Sequence, residues 1–222
     1  MTQLKLIRSG LTDQIYKILE ERIINLELKP GEKIDVASLA EEFGISETPI
    51  RDALKKLSEN GLVKAKSRRG YYAVKLSEKD IVEIYELRKL LETYALESFI
   101  KNVDSLELQK LKKMWEKVRK KNKKDLKFSE FYPTDREFHL KIVKKCNNRR
   151  LKGIFSQIYN LVKICQHMYT NFEGALDEHI KIVEAIEKRN LNEAKKLLAQ
   201  HIDRAKERVL ESLGNLSKKP LT

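Results

Sequence analysis

One stretch constrains the fold more than any other: Phe43-Gly44-Ile45-Ser46-Glu47-Thr48-Pro49-Ile50-Arg51-Asp52-Ala53-Leu54, then Leu62-Val63, then Ser67-Arg68-Arg69-Gly70-Tyr71-Tyr72-Ala73-Val74. Val36, Leu39, Ala40 and Phe43 mark a short helix, and Gly44 behind them allows the left-handed backbone on which a helix ends and the chain turns sharply. Ser46 is placed to cap a second helix. Pro49 falls in that helix's first turn, where a missing N–H costs nothing, and Ile50, Ala53, Leu54 and Leu57 supply its buried stripe. Leu62 to Lys66 and Tyr71 to Lys75 read as the strands of a hairpin around Ser67-Arg68-Arg69-Gly70, with Gly70 taking the positive φ and two arginines at the tip. Helix, tight turn, helix and basic hairpin in this order predict a winged helix-turn-helix.

The residues left outside the buried stripe suit a polyanion. Ser46, Thr48 and Arg51 lie on the exposed first turn of the second helix, where hydroxyls and terminal N–H groups reach phosphates and a guanidinium reaches phosphate or guanine in a major groove. The hairpin tip, with Arg68 and Arg69, can enter the adjacent minor groove, whose negative potential attracts arginine. The net charge of +13 is distributed accordingly: residues 1–50 carry 6 basic and 9 acidic side chains, residues 51–75 carry 8 and 2. A second basic block, 11 against 4 over residues 101–127, reads as a solvated helix end and loop around Lys117 to Lys124.

Upstream, Leu11, Ile15, Ile18, Leu19, Ile23 and Leu26 mark a first helix closed by Leu28-Lys29-Pro30-Gly31, so a winged domain is expected over residues 8–76. Ser77-Glu78-Lys79-Asp80 reads as a capping box opening the next helix, which leaves a very short linker. Apolar periodicity then predicts helices near 78–101, 104–121, 128–146, 148–170, 173–189 and 191–213 with no convincing strand, hence an all-helical bundle over 77–215 and a mainly α chain. The tail Ser217-Lys218-Lys219-Pro220 reads as frayed. No apolar run approaches a membrane span and no signal pattern opens the chain, so a cytoplasmic protein is expected. Cys146 and Cys165 stand apart without CxxC spacing and read as packing residues.

The segment from Gly44 to Leu54 with its basic glycine wing resembles the GntR family of bacterial transcription regulators. That resemblance implies contacts to double-stranded DNA from Ser46, Thr48, Arg51, Arg69 and Gly70. Relatives often carry Arg where this chain has Glu47, so the operator sequence does not transfer. Paired half-sites need paired readers, so a homodimer on a palindromic operator is expected.

The predicted bundle holds all four histidines of the chain, His139, His167, His179 and His201. Asp135 and His139 are four apart and project from one helix face. His179 lies among Ile180, Val183 and Ile186, and His201 among Leu197, Leu198 and Ile202. Three inward imidazoles and one carboxylate can converge on a divalent ion, imidazole suiting Zn, Ni, Co or Cu. A lone histidine on an apolar helix face is more often a hydrogen-bonded core residue, and spacing leaves both readings open.

Asp135, Phe138, His139, Ile142, Asn148 and Leu151, with Leu87-Arg88, Leu91-Glu92 and Ala95 upstream, resemble the FCD effector domain, a GntR subclass similar to fatty-acid-responsive regulators. The resemblance implies an antiparallel helical bundle that binds a divalent transition metal, Zn or Ni, through Asp135, His139, His179 and His201. Open coordination positions would admit a small carboxylate effector, with Arg88 and Asn148 at that site. The alternative for Arg88 is an intrahelical pair with Glu92. His167 falls outside the pattern. Two other readings of the metal remain: a purely structural or directly sensed ion, and a hydrolytic centre with Glu137 or Glu178 as base. Both glutamates more often face solvent or pair with lysine, and fusion to a DNA-binding domain argues against an enzyme.

Overall fold

The computed structural model describes residues 10–120, 128–167 and 174–217 of the 222-residue chain. The chain divides into two compact units, Met1–Ser77 together with Asn160–His167, and Glu78–Tyr159 together with Met168–Thr222.

In the first unit α1 (Leu11–Ile24), β1 (Lys33–Ile34), α2 (Val36–Phe43), α3 (Glu47–Glu59), β2 (Val63–Lys66) and β3 (Gly70–Ala73) follow in order. Helix α1 packs across α3, burying Ile15, Leu19 and Ile23 against Ile50, Leu54 and Leu57. Helix α2 packs on α3, with Gly44 in the left-handed conformation between them, φ 64°. Asp35 caps α2, its carboxylate accepting from the N–H groups of Ala37 and Ser38 at 3.0 and 3.2 Å.

Several local expectations are corrected. Helix α1 ends at Ile24, and Leu26 sits beyond it in left-handed backbone at φ 60°. Ser46 occupies the N-cap position of α3 with extended backbone, yet its hydroxyl makes no capping bond. Pro49 at the third helical position removes one of the two N–H groups from which a capping oxygen accepts, leaving that of Thr48. The wing carries its left-handed backbone at Arg68, φ 58°, as well as at Gly70, φ 95°. The sheet has a third strand that periodicity does not show: two-residue β1 pairs antiparallel with β3, Lys33 opposite Tyr72, and gives the order β1-β3-β2. Two residues carry too little alternation to register as a strand.

The second unit is helical among the described residues: α4 (Glu78–Asn102), α5 (Ser105–Arg119), α6 (Phe128–Lys144), α7 (Arg149–His167, whose last turns belong to the first unit), α8 (Ala175–Glu187) and α9 (Leu191–Ser217). The mainly α class and the succession of helices agree with the periodicity. The outer ends of the helices expected to reach 121 and 170, the start of the one expected at 173, the basic residues 121–127 and the tail from Lys218 lie outside the described residues. Helix α4 packs against α9 and α6, α5 against α8 and α6, and α8 against α9. The core is built from Phe99, Trp115, Phe138, Ile142, Ile182, Ile186, Leu198 and Ile202. A capping box unnoticed in the sequence opens α5: Asp104 accepts from the Glu107 N–H at 2.8 Å while the Glu107 carboxylate reaches back to the Asp104 N–H at 3.4 Å. Cys146 and Cys165 are buried, and neither forms a disulfide among the described residues. No helix among the described residues is long and apolar enough to cross a membrane.

Candidate nucleic-acid interface and candidate metal centre

The stripe of Ile50, Ala53, Leu54 and Leu57 turns the other side of α3 outward, so Ser46, Thr48 and Arg51 are exposed. The Arg51 guanidinium donates to the Glu47 carboxylate one turn earlier, from Nε at 3.2 Å and from Nη2 at 2.6 Å. Arg51, Arg69 and Gly70 border one open groove of ≈ 520 Å³, together with Glu47, Lys33 and the start of α2. Arg68 is exposed at the wing tip. The wing is braced from within: Lys66 Nζ lies 4.3 Å over the Tyr72 ring, and the Tyr72 hydroxyl donates to the Arg69 carbonyl at 3.3 Å. The fold thus gathers the start of the second helix and the basic hairpin on one accessible face.

The second site is buried. Helix α6 presents Asp135 and His139, α8 presents His179 and α9 presents His201; one ligand atom from each lies within 4.8 Å of the others, and all four residues are buried. Asp135 Oδ1 is 3.2 Å from His179 Nε2 and 3.6 Å from His139 Nε2, and the two Nε2 atoms are 3.3 Å apart. The rings of His139 and His201 stack 5.3 Å apart, and Trp115 stacks on His179 at 4.0 Å.

Each imidazole is held by its other nitrogen. His139 Nδ1 meets Glu92 Oε2 at 2.5 Å, His179 Nδ1 meets the Ala175 carbonyl at 2.7 Å, and His201 Nδ1 meets Glu178 Oε2 at 2.8 Å. An oxygen acceptor at Nδ1 fixes the proton there and leaves the Nε2 lone pair facing the cluster. His201 Nε2 is buried with no hydrogen-bond partner among the described residues. A buried nitrogen lone pair so placed is an unsatisfied acceptor unless a cation or donor meets it. The donor set, three imidazoles and a carboxylate, therefore fits a divalent transition metal.

The electrostatics agree. Burial, reinforced by the neighbouring imidazoles, lowers the His201 pKa to about 3. His179 is lowered as well, chiefly by burial. Burial opposes the charge of Asp135, but its two histidine partners outweigh it and hold the carboxyl well below the usual range. Burial works against His139 in the same way, and there the Glu92 carboxylate prevails and raises it. A ligand that must shed a proton makes ion uptake a proton-releasing event.

Beside this cluster Arg88 is 1% exposed, with its Nε donating to Glu92 Oε1 at 2.8 Å. Its two Nη atoms are buried and find no partner among the described residues, and the Tyr85 and Tyr159 rings flank it at 5.6 and 5.9 Å. The intrahelical pair with Glu92 exists, but in the core and through one edge only of the guanidinium. Asn148 is not brought to this place. It is exposed at the start of α7, where its side-chain carbonyl accepts the Leu151 N–H at 3.0 Å, so helix capping accounts for it. His167 also stands apart, in the last turn of α7 with Nδ1 3.0 Å from the Lys163 carbonyl. Glu137 pairs with Lys141 at 2.7 Å as expected of a surface residue. Glu178 does not: besides His201 it takes Arg204 and Arg208, at 3.1 and 3.0 Å, and although burial opposes the charge, the hydrogen bond from His201 followed by the two arginines holds it at about 2. The acceptor roles of Glu92, Glu178 and the Ala175 carbonyl escape sequence reading, because a glutamate among helical charges and an ordinary backbone oxygen carry no motif.

A DNA-reading winged domain followed by a helical domain with an internal polar centre defines a class of regulator rather than an enzyme. Residues 11–72 match the model for bacterial regulatory proteins of the gntR family, and residues 83–204 match the FCD domain. The chain is 35% identical over 194 residues to the HTH-type transcriptional regulator YdhC of Bacillus subtilis (strain 168), which is 86% of this chain and 87% of that protein. It is 30% identical over 197 residues to the gluconate operon transcriptional repressor of Bacillus licheniformis, 83% of this chain and 79% of that one. Among solved structures it resembles a GntR transcriptional regulator from Rhodococcus sp. RHA1, with a TM-score of 0.75 at 21% identity, covering 90% of this chain and 97% of that one. The chain belongs to the gntR family, with an FCD second domain, and is a DNA-binding transcription regulator.

Proposed function

We propose that this regulator binds a divalent transition metal, zinc or nickel, through Asp135, His139, His179 and His201, and that a small carboxylate effector completes the site and modulates operator binding. The observation that carries the reading is the convergence of four ligand atoms within 4.8 Å while every histidine Nδ1 is engaged elsewhere. The ion would supply a Lewis-acidic point for an effector oxygen. The bare Nη edge of Arg88 supports a carboxylate partner, since a buried guanidinium with two free donors matches two oxygens side by side. The gluconate operon repressor among the relatives is consistent with that chemistry, gluconate being a hydroxycarboxylate.

On the operator side Ser46, Thr48, Arg51, Arg68, Arg69 and Gly70 are the proposed contacts, with Arg51 reading a base edge and the wing lying in a minor groove. Two copies would read a palindrome, and the exposed apolar side chains of Leu87, Leu90 and Tyr94 on α4 offer a second copy an apolar surface. An effector can shift operator affinity only by binding two arrangements of the protein unequally.

Metal content of untagged protein purified without chelator, beside His139→Ala, tests the reading. About one equivalent per chain, lost in the variant, supports it; no ion in the wild type turns the four residues into a hydrogen-bonded core cluster.

A further inference from the structure

Of the three carboxylate and carbonyl groups that hold the histidines, one has a second attachment inside the core. The Ala175 carbonyl is fixed by its helix. Glu178 reaches Arg204 and Arg208, of which Arg204 is 54% exposed. Glu92 is fully buried, and its two oxygens serve different partners: Oε2 meets His139 Nδ1, and Oε1 accepts from Arg88 Nε. Among the described residues Arg88 has nothing on its Nη atoms, and the guanidinium is held in the plane set by that single bond and the tyrosine rings beside it.

We propose that Glu92 is a positioning residue that registers the guanidinium of Arg88 and the imidazole of His139 on one carboxylate, so that whatever moves Arg88 is felt at the His139 ligand. The inference rests on the metal and carboxylate reading above and adds the link between its two halves. A planar guanidinium and a planar imidazole share one rigid acceptor, and a buried carboxylate has no water with which to make up a lost bond. An anion drawing on the Nη edge must therefore alter the Nε bond to Oε1, and through Oε2 the presentation of His139 Nε2. Such outer partners fix ligand orientation and basicity. Coupling of this kind is reciprocal: the ion's hold on His139 also sets the plane in which Arg88 meets a carboxylate.

Glutamine at position 92 breaks the arrangement with little change of shape, because one of the two acceptor oxygens becomes an NH2 group, which donates and cannot accept from Arg88 Nε or His139 Nδ1. The test is a titration of Co2+ into chelator-stripped full-length protein, followed by visible absorption, for wild type, Glu92→Gln, Arg88→Lys and the double variant, with circular dichroism as the fold control. Glu92→Gln is expected to weaken Co2+ binding ~10–100-fold and to change its bands. Arg88→Lys, which keeps a charge but loses the fork, is expected to shift the bands in the Glu92 background and to add nothing once Glu92 is Gln. Should Glu92→Gln fail to fold without metal, Arg88→Lys alone decides, and an unshifted spectrum overturns the proposal. It is also overturned if Glu92→Gln binds Co2+ as the wild type does, or if Arg88→Lys produces the same shift in both backgrounds. A wild type that binds no Co2+ overturns the metal reading itself, and this proposal with it.

Discussion

Two arginine–glutamate pairs, each one helical turn apart, occur in opposite surroundings. On α3, Arg51 and Glu47 are 55% and 44% exposed and 2.6 Å apart; on α4, Arg88 and Glu92 are 1% and 0% exposed and 2.8 Å apart. The order also differs. Glu47 precedes its arginine, the arrangement that suits the helix dipole, whereas Arg88 precedes its glutamate. The buried pair is therefore not explained by helix stability. It persists because its carboxylate also holds His139, and that carboxylate sits at about 2: burial opposes the charge, and His139 with Arg88 overcomes it. The exposed pair contributes little to folding and leaves Arg51 available to a partner, while the buried pair is committed to the architecture of a site.

The sharpest way to break the comparison is to remove the glutamate from each pair. Glu92→Ala leaves a guanidinium buried without a counter-charge and is expected to destabilise the metal-free protein by ~3–5 kcal/mol in denaturant unfolding. Glu47→Ala should change stability by no more than ~0.5 kcal/mol. Equal effects would mean that the burial of the α4 pair has no energetic consequence.

Next in size is the effect of the ion. Saturation at about 100 times the dissociation constant stabilises a folded protein by ~2.7 kcal/mol. Zinc or nickel should raise the melting temperature of the wild type and leave that of His201→Ala unchanged, since that variant lacks one ligand. An equal rise in both would place the ion elsewhere.

Arg51→Ala is expected to weaken operator binding by ~1–3 kcal/mol with unfolding unaltered. The counterpart Arg88→Ala should leave the buried Glu92 carboxylate with His139 as its remaining partner and lower stability. Fluorescence anisotropy with labelled operator, beside a melting curve, separates the two. A stability loss from Arg51→Ala, or intact binding, would put the exposed pair among structural contacts.

This contrast also explains what could be read in advance. The stripe of Ile50, Ala53, Leu54 and Leu57 sets which side of α3 is exposed, so Ser46, Thr48 and Arg51 were legible from spacing alone. Asp135 and His139 were legible as residues one turn apart, and His179 and His201 as polar positions inside apolar stripes. Glu92 and Glu178 were not, because a glutamate on a charged helix resembles a solvated one until a neighbouring helix covers it. Asn148 showed the converse: a residue matched to a family pattern stands at a helix start, where local capping suffices. The strand Lys33–Ile34 owes its existence to pairing with β3, a non-local contact that no local pattern encodes.

A third pair lies between the two extremes. Arg22 on α1 donates to both oxygens of Glu42 on α2 and lies 5.4 Å from the centre of the Phe43 ring; the side chains are 23% and 46% exposed. The hydrogen bonds from Arg22 lower the Glu42 pKa below its ordinary 4.5 despite a smaller opposing effect of burial. A carboxylate depressed in the folded state adds stability above its unfolded pKa and loses it as pH falls through the folded value. Partial exposure limits the contribution to ~0.2–1 kcal/mol. Glu42→Gln should therefore cost about that much near neutrality, and the difference from wild type should shrink to nothing as urea unfolding is repeated at falling pH through the carboxylate range. A difference that stays constant with pH would assign the effect to packing of Arg22 on Phe43 rather than to the ion pair, and would place this pair with the exposed one.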